Sequence, residues 1–311
     1  MSQPIRDAIL GVVVGDALGV PVEFEERETL RKKPVRDMTG YGTYNHPPGT
    51  WSDDSSLTLC TADELAQGYN LQALATSFVR WLYENHWTPY NEVFDVGNTT
   101  EYGIRRLREG YGPDQSGKND PGANGNGSLM RILPLLFYVK EISDPQERYE
   151  IIRQVSAITH AHERSTLSCF YYLEYARNLL EGSTPREAYE KTNQQFLVFA
   201  RQQNLAPNEK AQFKRLTDGI IDQLPEDQIF SDTYVIYTLE ASIWCILTTE
   251  NYQEAVLKAV NLGKDTDTTA AVTGGLAGLI YGADEISSSW LHTIACLDDI
   301  EAVIRRMEQQ Y

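Results

Sequence analysis

Three glycines that recur every four residues place the strongest limit on how this chain can fold: Gly11, Gly15 and Gly19. Apolar residues keep helical spacing over the same stretch, at Ile9, Val13, Ala17 and Val20. Because residues four apart lie on one face of a helix, the glycines would form a stripe without side chains, along which another helix can lie very close. The spacing predicts a helix over this segment that ends near Gly19, before Pro21. The β-branched run at 12–14 would also suit a buried strand.

A second stretch of small residues follows two carboxylates late in the chain. Asp265 and Asp267 alternate with Thr266 and Thr268, and residues 270–278 contain three glycines and three alanines. Each glycine in a helix costs about 1 kcal/mol of helix propensity, so close packing against a neighbour is the expected compensation. Hard divalent cations prefer oxygen ligands, which this segment supplies. By itself the segment also fits an ordinary helix start, because Asp and Thr commonly cap helices.

A similar acidic segment occurs much earlier, at Ser52, Asp53 and Asp54. Ser52 is a good N-cap, and a helical apolar face follows at Leu57, Cys60, Thr61 and Leu65. The two aspartates would lie in the first turn, where acids also occur simply because they interact well with the helix dipole. Together with the later pair, they give four carboxylates, enough to balance two divalent cations that act on a shared water and substrate oxygen.

Three further features are candidate parts of a site. Residues 112–127 form a loop rich in Gly, Asn and Asp whose end, 125–131, enters an apolar helix. Backbone N–H groups of such a turn can hold a diphosphate, although a flexible linker would have the same composition. Glu23, just past the first helix, could point into a cleft or lie in a solvated loop. His160 and His162 have no further His or Cys ligands nearby, so packing or ligand contact is preferred to zinc for His160.

The composition excludes several classes of function. A formal net charge of −17 over 311 residues argues against nucleic acid as a partner, because phosphate backbones require a basic surface. A phosphate-bearing ligand must then be held by metals, backbone amides or a few local cations. No run of about 18 apolar residues or signal pattern is present, which predicts a cytoplasmic protein with no membrane partner. Four scattered cysteines without a C-x-x-C pair are expected to be reduced core thiols.

Most of the remaining chain has helical periodicity, and no strand-alternating segment or internal repeat recurs. Residues 25–48 are predicted to be a mobile surface loop. Helices are predicted over 71–87, from the turn at 94–104 to about Gly110, and over 132–139, 145–158, 163–180, 184–204, 209–224, 233–247 and 252–260, with one or two over 287–305.

Taken together, these segments resemble the ADP-ribosylglycohydrolase family. The matching pieces are 15–19 with Glu23, 49–54, 125–131, 159–160 and 263–268, in the family's order and across most of the chain. The resemblance implies a single compact all-α domain over 1–311, with a binuclear Mg²⁺ or Mn²⁺ site in a cleft. It implies six metal ligands: Ser52, Asp53, Asp54, Asp265, Asp267 and Thr268. The family often has Thr in place of Ser52 and Gly in place of Lys264, whose cation could hold a phosphate or point outward.

The resemblance also implies a reaction, namely hydrolysis of the bond between ADP-ribose and an arginine or serine side chain of a protein. Asp53 or Asp267 would take the proton of the attacking water, and Glu23 would protonate the leaving group or orient the attack. The diphosphate would be held by Gly125, Asn126, Gly127 and Ser128, and the adenosine end would contact His160. The partner would be an ADP-ribosylated protein or a similar small molecule, and the chain could act as a monomer.

Two other functions remain open from the sequence. One is a non-catalytic ADP-ribose-binding or immunity protein that neutralises an ADP-ribosylating partner. The other is a different metal-dependent hydrolase acting on a nucleotide-like molecule. Diphosphate ionisation by a D-D-x-x-D motif ranks low, because Ser55, Ser56 and Leu57 follow the aspartate pair.

Overall fold

The computed structural model describes residues 3–311, which form α-helices, short 3₁₀ turns and loops. The first helices are α1 (Pro4–Gly19), α2 (Arg27–Lys32), α3 (Asp53–Leu65), α4 (Leu71–Glu84), α5 (Asn98–Arg108), α6 (Pro113–Ser116), α7 (Leu136–Val139), α8 (Pro145–Ala157) and α9 (Glu163–Leu180). The remaining ones are α10 (Pro185–Gln202), α11 (Pro207–Gln212), α12 (Lys214–Thr217), α13 (Val235–Leu247), α14 (Tyr252–Val260), α15 (Thr266–Tyr281), α16 (Ser288–Thr293) and α17 (Leu297–Gln310). Within residues 3–311 the only β pairing is two isolated bridges, so the predicted all-α fold is confirmed.

The two glycine-rich helices, α1 and α15, pack against each other with their backbones in contact. A Cβ atom at Gly15 would lie 2.1 Å from the carbonyl oxygen of Ala270, and one at Gly11 would lie 2.2 Å from that of Gly274. The reverse also holds, since a Cβ at Gly278 would lie 2.0 Å from the carbonyl oxygen of Asp7. The glycines lower helix propensity, and this close approach is the compensation.

This helix pair determines where the site is. The hydroxyl of Thr266, the first residue of α15, donates a 2.8 Å hydrogen bond to the carbonyl oxygen of Gly19, the last residue of α1. The acidic start of α15 therefore lies beside the end of α1, from which a 3₁₀ turn (Val20–Val22) leads to Glu23.

Most of the predicted helices are present, but the prediction of one continuous helix over 209–224 is wrong. That segment contains the end of α11, the single-turn α12 and a 3₁₀ turn at Ile221–Gln223. Gly219 has a φ of +76°, in the left-handed region, which a continuous α-helix does not allow.

Three smaller corrections concern other segments. Pro134 lacks an N–H donor, and a 3₁₀ turn (Leu133–Leu135) replaces the first half of the helix expected over 132–139. The loop expected over 25–48 contains α2. Cys60, Cys169 and Cys245 are buried as expected, but Cys296 is exposed. None of the helices described is long and apolar enough to cross a membrane.

Candidate active site

Glu23 and the starts of α3 and α15 meet at one cleft. The cleft has a volume of about 510 Å³ and is lined on one side by Glu23, Asp53, Asp265 and Thr268. Other walls come from the segment before and at the start of α5, from the glycine-rich turn at 124–127, and from His160 and Tyr234. Residues from distant parts of the sequence therefore share one cavity.

A buried carboxylate in α1 holds the start of α3 in place. Both oxygens of Asp16 accept hydrogen bonds from the backbone N–H of Ser52 at 3.0 Å, and one accepts from the N–H of Ser55 at 2.9 Å. The first N–H groups of a helix have no partner within the helix, so Asp16 satisfies two of these donors from the neighbouring helix. This contact orients Asp53 and Asp54, which follow directly. No role was predicted for Asp16 from the sequence, although an acid in the middle of an apolar, glycine-rich helix indicates a buried polar contact.

The early and late acidic segments join at Asp54. Its Oδ2 accepts hydrogen bonds from the hydroxyls of Ser52 and Thr268, each at 3.2 Å, and Thr268 lies 214 residues away in sequence. One carboxylate oxygen from each of Glu23, Asp265 and Asp267 lies within 4.8 Å of the others. Asp53 lines the same cleft as Glu23, Asp265 and Thr268, so the six expected metal ligands and Glu23 lie close together, and all of them are buried.

The acidic cluster has an unmet requirement for positive charge. Oδ1 of Asp54 and Oδ2 of Asp267 are buried without a hydrogen-bond partner among residues 3–311. Burial, together with repulsion from neighbouring carboxylates, raises the pKa of Asp53, Asp54 and Asp267 well above the ordinary value. Buried unpaired carboxylates are very costly unless a cation or a proton neutralises them. The oxygen-rich cluster could therefore hold a metal ion.

Tyr44 and Asp95, which sequence analysis did not single out, connect to Glu23. The Tyr44 hydroxyl lies 2.6 Å from Oε2 of Glu23 and 2.7 Å from Oδ1 of Asp95. A phenol has one proton to donate, so both contacts can be hydrogen bonds only if one carboxyl group carries a proton. Burial and the nearby charge of Asp95 raise the pKa of Glu23 to about 9, which makes Glu23 the protonated partner. Asp95 has a left-handed φ of +54°, a conformation that Asp tolerates better than most residues.

Asn126 joins the glycine-rich turn to the acidic cluster. Its side-chain amide donates to Oδ2 of Asp265 at 2.6 Å and to the hydroxyl of Thr238 at 2.9 Å. Its backbone N–H donates to the carbonyl oxygen of Thr233 at 3.0 Å. The backbone N–H of Asn126 is therefore not free to bind a phosphate, and its amide positions a carboxylate instead.

The neighbours of Asn126 differ in how they meet the cleft. Gly125 and Gly127 line it, and within residues 3–311 neither of their N–H groups donates a hydrogen bond. A Cβ at Gly127 would lie 2.8 Å from the His160 ring, so the turn has room only for glycine there. Ser128 is fully buried, and its hydroxyl lies 3.5 Å from the Cys169 sulfur and does not face the cleft.

His160 lies at the glycine-turn side of the cleft as a neutral ring. Its Nδ1 lies 2.8 Å from the Thr159 hydroxyl, and the side chain is buried. Burial and the nearby Arg131 guanidinium lower the pKa of His160 to about 3. Arg131 is itself fully buried, and it donates to the carbonyl oxygen of Gly127, which fixes the shape of the turn.

The charges that line the cleft are all negative. Glu23, Asp53, Asp95 and Asp265 line it, and no lysine or arginine among residues 3–311 does so. Lys264 points outward and pairs with Glu26 at the surface. Its φ of +64° explains why glycine suits this position. Because no cationic side chain lines this cleft, a phosphate could be held there only by metal ions or by backbone amides.

We expect divalent cations to stabilise the protein strongly at pH 8 and only weakly at pH 5. Burial raises the pKa of Asp16 and Asp265 to about 6, so in metal-free protein these groups lower the free energy of unfolding as pH rises from about 4. A bound cation compensates the buried negative charge of the cluster, and protons compete with the cation at pH 5. At a cation concentration 100 times the Kd, the gain is about 2.7 kcal/mol. Thermal unfolding with Mg²⁺ and with chelator at both pH values measures this stabilisation.

Comparing the melting temperature with cation and with chelator at the same pH cancels the contribution of His160 to the pH dependence of stability. The depressed pKa of His160 makes stability fall as pH decreases from about 6.5 towards 3, but this loss occurs with and without cation. Sodium at matched ionic strength controls for general screening. Equal stabilisation at pH 5 and pH 8 would contradict a cation site made of these carboxylates.

Comparisons with known proteins agree with this architecture. The sequence model described as ADP-ribosylglycohydrolase matches residues 2–311. The chain is 31% identical to an ADP-ribosylarginine hydrolase of Pseudomonas putida over 97% of its own length and 77% of that protein. It is 29% identical to the ADP-ribosyl-(dinitrogen reductase) glycohydrolase of Rhodospirillum rubrum, over 96% of this chain and 92% of the relative.

The solved structures give the same result. The structure of an ADP-ribosylglycohydrolase-related protein complex superposes with a TM-score of 0.81 at 28% identity, over 99% of this chain and 98% of the other. The resemblance inferred from the motifs is confirmed, because the match extends over nearly the whole sequence. The chain therefore belongs to the ADP-ribosylglycohydrolase family, a family of glycosidic-bond hydrolases.

Proposed function

We propose that the protein removes ADP-ribose from arginine side chains of modified proteins by hydrolysing the N-glycosidic bond. The observation that carries this proposal is the meeting of the two acidic segments and Glu23 in one cleft with a glycine-rich turn. The arginine linkage is favoured over serine because relatives from Pseudomonas putida and Serratia proteamaculans, each 31% identical, are named ADP-ribosylarginine hydrolases. The fully acidic cleft also suits a cationic acceptor.

The donor set fits two divalent cations, Mg²⁺ or Mn²⁺. The two orphaned oxygens of Asp54 and Asp267 support this, as does the excess of carboxylates over local cations. We propose that the ions would be held by Ser52, Asp53, Asp54, Asp265, Asp267 and Thr268. Bound divalent cations supply Lewis acidity, which activates water and polarises substrate oxygens.

The residues of the chain would move two protons. Water attacks the anomeric carbon of the distal ribose, and a carboxylate of Asp53 or Asp267 accepts the proton that the water loses. The bond from that carbon to the arginine nitrogen breaks, and the nitrogen receives a proton. Glu23 is the proposed donor, since burial raises its pKa above the ordinary value and Tyr44 fixes its carboxyl group.

The rest of the substrate would lie along the glycine-rich turn. The free N–H groups of Gly125 and Gly127 are the proposed diphosphate donors, with Ser128 contributing only through its backbone. Asn126 would act indirectly, by holding Asp265. The neutral ring of His160 would contact the adenosine end, where a charged ring is not needed.

Further parts of the proposal concern the state of the protein. We propose a single domain over residues 1–311 that acts as a cytoplasmic monomer on ADP-ribosylated proteins and has no nucleic-acid or membrane partner. The net charge of −17 and the four free cysteines support this.

One assay tests the activity. Peptides carrying ADP-ribose on arginine or on serine are incubated with the protein, with and without chelator, and free ADP-ribose is measured. We expect release from the arginine peptide, loss of release with chelator, and recovery when Mg²⁺ or Mn²⁺ is added. Tight binding without release would instead indicate a binding or immunity protein. Release from serine alone would overturn the arginine assignment.

A further inference from the structure

Phe24 stands out at the mouth of the cleft because it is both exposed and part of the lining. Its side chain is 59% exposed, and among residues 3–311 it is the only exposed large hydrophobic residue that lines this cavity. Aromatic side chains are enriched where proteins contact their partners, so the ring of Phe24 is a candidate for contact with the substrate.

The backbone at Phe24 is held in a conformation that a bulky residue rarely adopts. Its φ is +64°, in the left-handed region that glycine prefers. Its N–H donates to the carbonyl oxygen of Lys264 at 2.6 Å, and the N–H of Lys264 donates to the carbonyl oxygen of Glu25 at 2.8 Å. The Thr43 hydroxyl also donates to the carbonyl oxygen of Glu23 at 2.7 Å. Strain that surrounding contacts maintain is characteristic of functional positions, and a glycine here would relieve it.

The position of Phe24 in the cleft indicates which part of a substrate it would meet. It follows Glu23 directly, so the two Cα atoms are about 3.8 Å apart. Glu23 belongs to the acidic cluster, while Gly125, Gly127 and His160 line another part of the same cavity. If the diphosphate lies at the glycine turn and the scissile bond at the acidic cluster, the group beyond that bond emerges beside Phe24. That group is the acceptor side chain.

We propose that Phe24 is a specificity-determining residue that stacks on the guanidinium group of the ADP-ribosylated arginine. A planar cation is attracted to the face of an aromatic ring, and no lysine or arginine among residues 3–311 lines the cleft to compete for the ring. The inference rests on the proposed function, because it names the acceptor that the same site takes. It assigns the choice of acceptor to a residue outside the acidic cluster.

Three variants separate the role of the ring from its bulk and from folding. Phe24→Gly removes the ring and relieves the backbone strain, so its melting temperature should equal or exceed that of the wild type. Phe24→Leu keeps much of the volume without the aromatic face, and Phe24→Trp keeps the face. We expect the Gly and Leu variants to lose about 5- to 30-fold in kcat/KM for an arginine-linked ADP-ribosyl peptide, and the Trp variant to stay within about twofold.

The affinity for free ADP-ribose identifies where the ring acts. We expect its Kd to change by less than about twofold in all three variants, since the product lacks the acceptor. A large loss of ADP-ribose affinity in Phe24→Gly would place the ring against the nucleotide and overturn the proposal, as would unchanged kinetics. If the wild type releases no ADP-ribose, the proposed function fails separately. The affinities of wild type and Phe24→Gly for the intact peptide then test the stacking directly.

Discussion

Replacing Asp53 with asparagine should lower ADP-ribose release by a factor on the order of 10² to 10⁴ without weakening the metal-free fold. Asp53 is only 5% exposed and lines the cleft, so its carboxylate is available to a cation or to the attacking water. Asparagine has nearly the same shape but neither the charge nor the basicity. Because burial and neighbouring acids already raise the pKa of Asp53, removing its charge should leave the metal-free melting temperature unchanged or higher.

A matched control lies on the same helix. Asp63 is ten positions further along α3, where it pairs with Arg306 and accepts from the Trp87 indole N–H at 3.2 Å. Asp63→Asn should keep wild-type turnover, and its melting temperature should fall slightly, since it loses a surface ion pair. Initial rates at saturating Mg²⁺, with calorimetry of both variants in chelator, make the comparison. Unchanged turnover in Asp53→Asn would refute the site.

The second large effect is expected at Gly15, where alanine should destabilise the fold by at least about 3 kcal/mol or prevent soluble expression. The added Cβ would lie 2.1 Å from the carbonyl oxygen of Ala270 and 2.6 Å from its carbon. Both atoms belong to the backbone of α15, so no side chain can move aside. Alanine improves intrinsic helix propensity by about 1 kcal/mol, and a large net loss would therefore show that the packing dominates.

Gly182→Ala provides the control for this prediction. Gly182 has a φ of +90°, but a Cβ there would meet nothing within 4 Å. Its substitution should cost only about 1 to 2 kcal/mol, the penalty for a left-handed non-glycine residue. Urea denaturation of both variants gives the free energies of unfolding. Equal losses for the two substitutions would contradict the close approach of α1 and α15.

Much of this architecture follows from local sequence patterns. Helix periodicity predicted α9 and α14 with the bounds that the structure has, because caps and apolar faces are local signals. The sequence also identified both glycine stripes, at Gly15 and at Gly274, as bare surfaces. It did not pair them with each other, since the choice of partner for a smooth helix face depends on the whole fold.

The parts of the site that were missed are those without a repeating pattern. Asp16 acts through the backbone N–H groups of α3, and Tyr44 and Asp95 act on Glu23 across a loop. Single polar residues of this kind resemble solvated loop residues until tertiary contacts are known. Ser128 is the opposite case, because its position in a glycine-rich motif favoured a ligand contact, whereas its side chain packs against Cys169.

The direct contact between α1 and α15 also bears on the order of events during synthesis. α1 is made well before α15, which emerges only after more than two hundred further residues. Until then the groove along Gly11 and Gly15 has nothing to fill it, and Asp265 and Asp267 are not yet beside Glu23. A nascent chain therefore cannot assemble the acidic cluster before α15 has been made, and a truncated product that lacks α15 would leave the groove of α1 uncovered and be prone to aggregate.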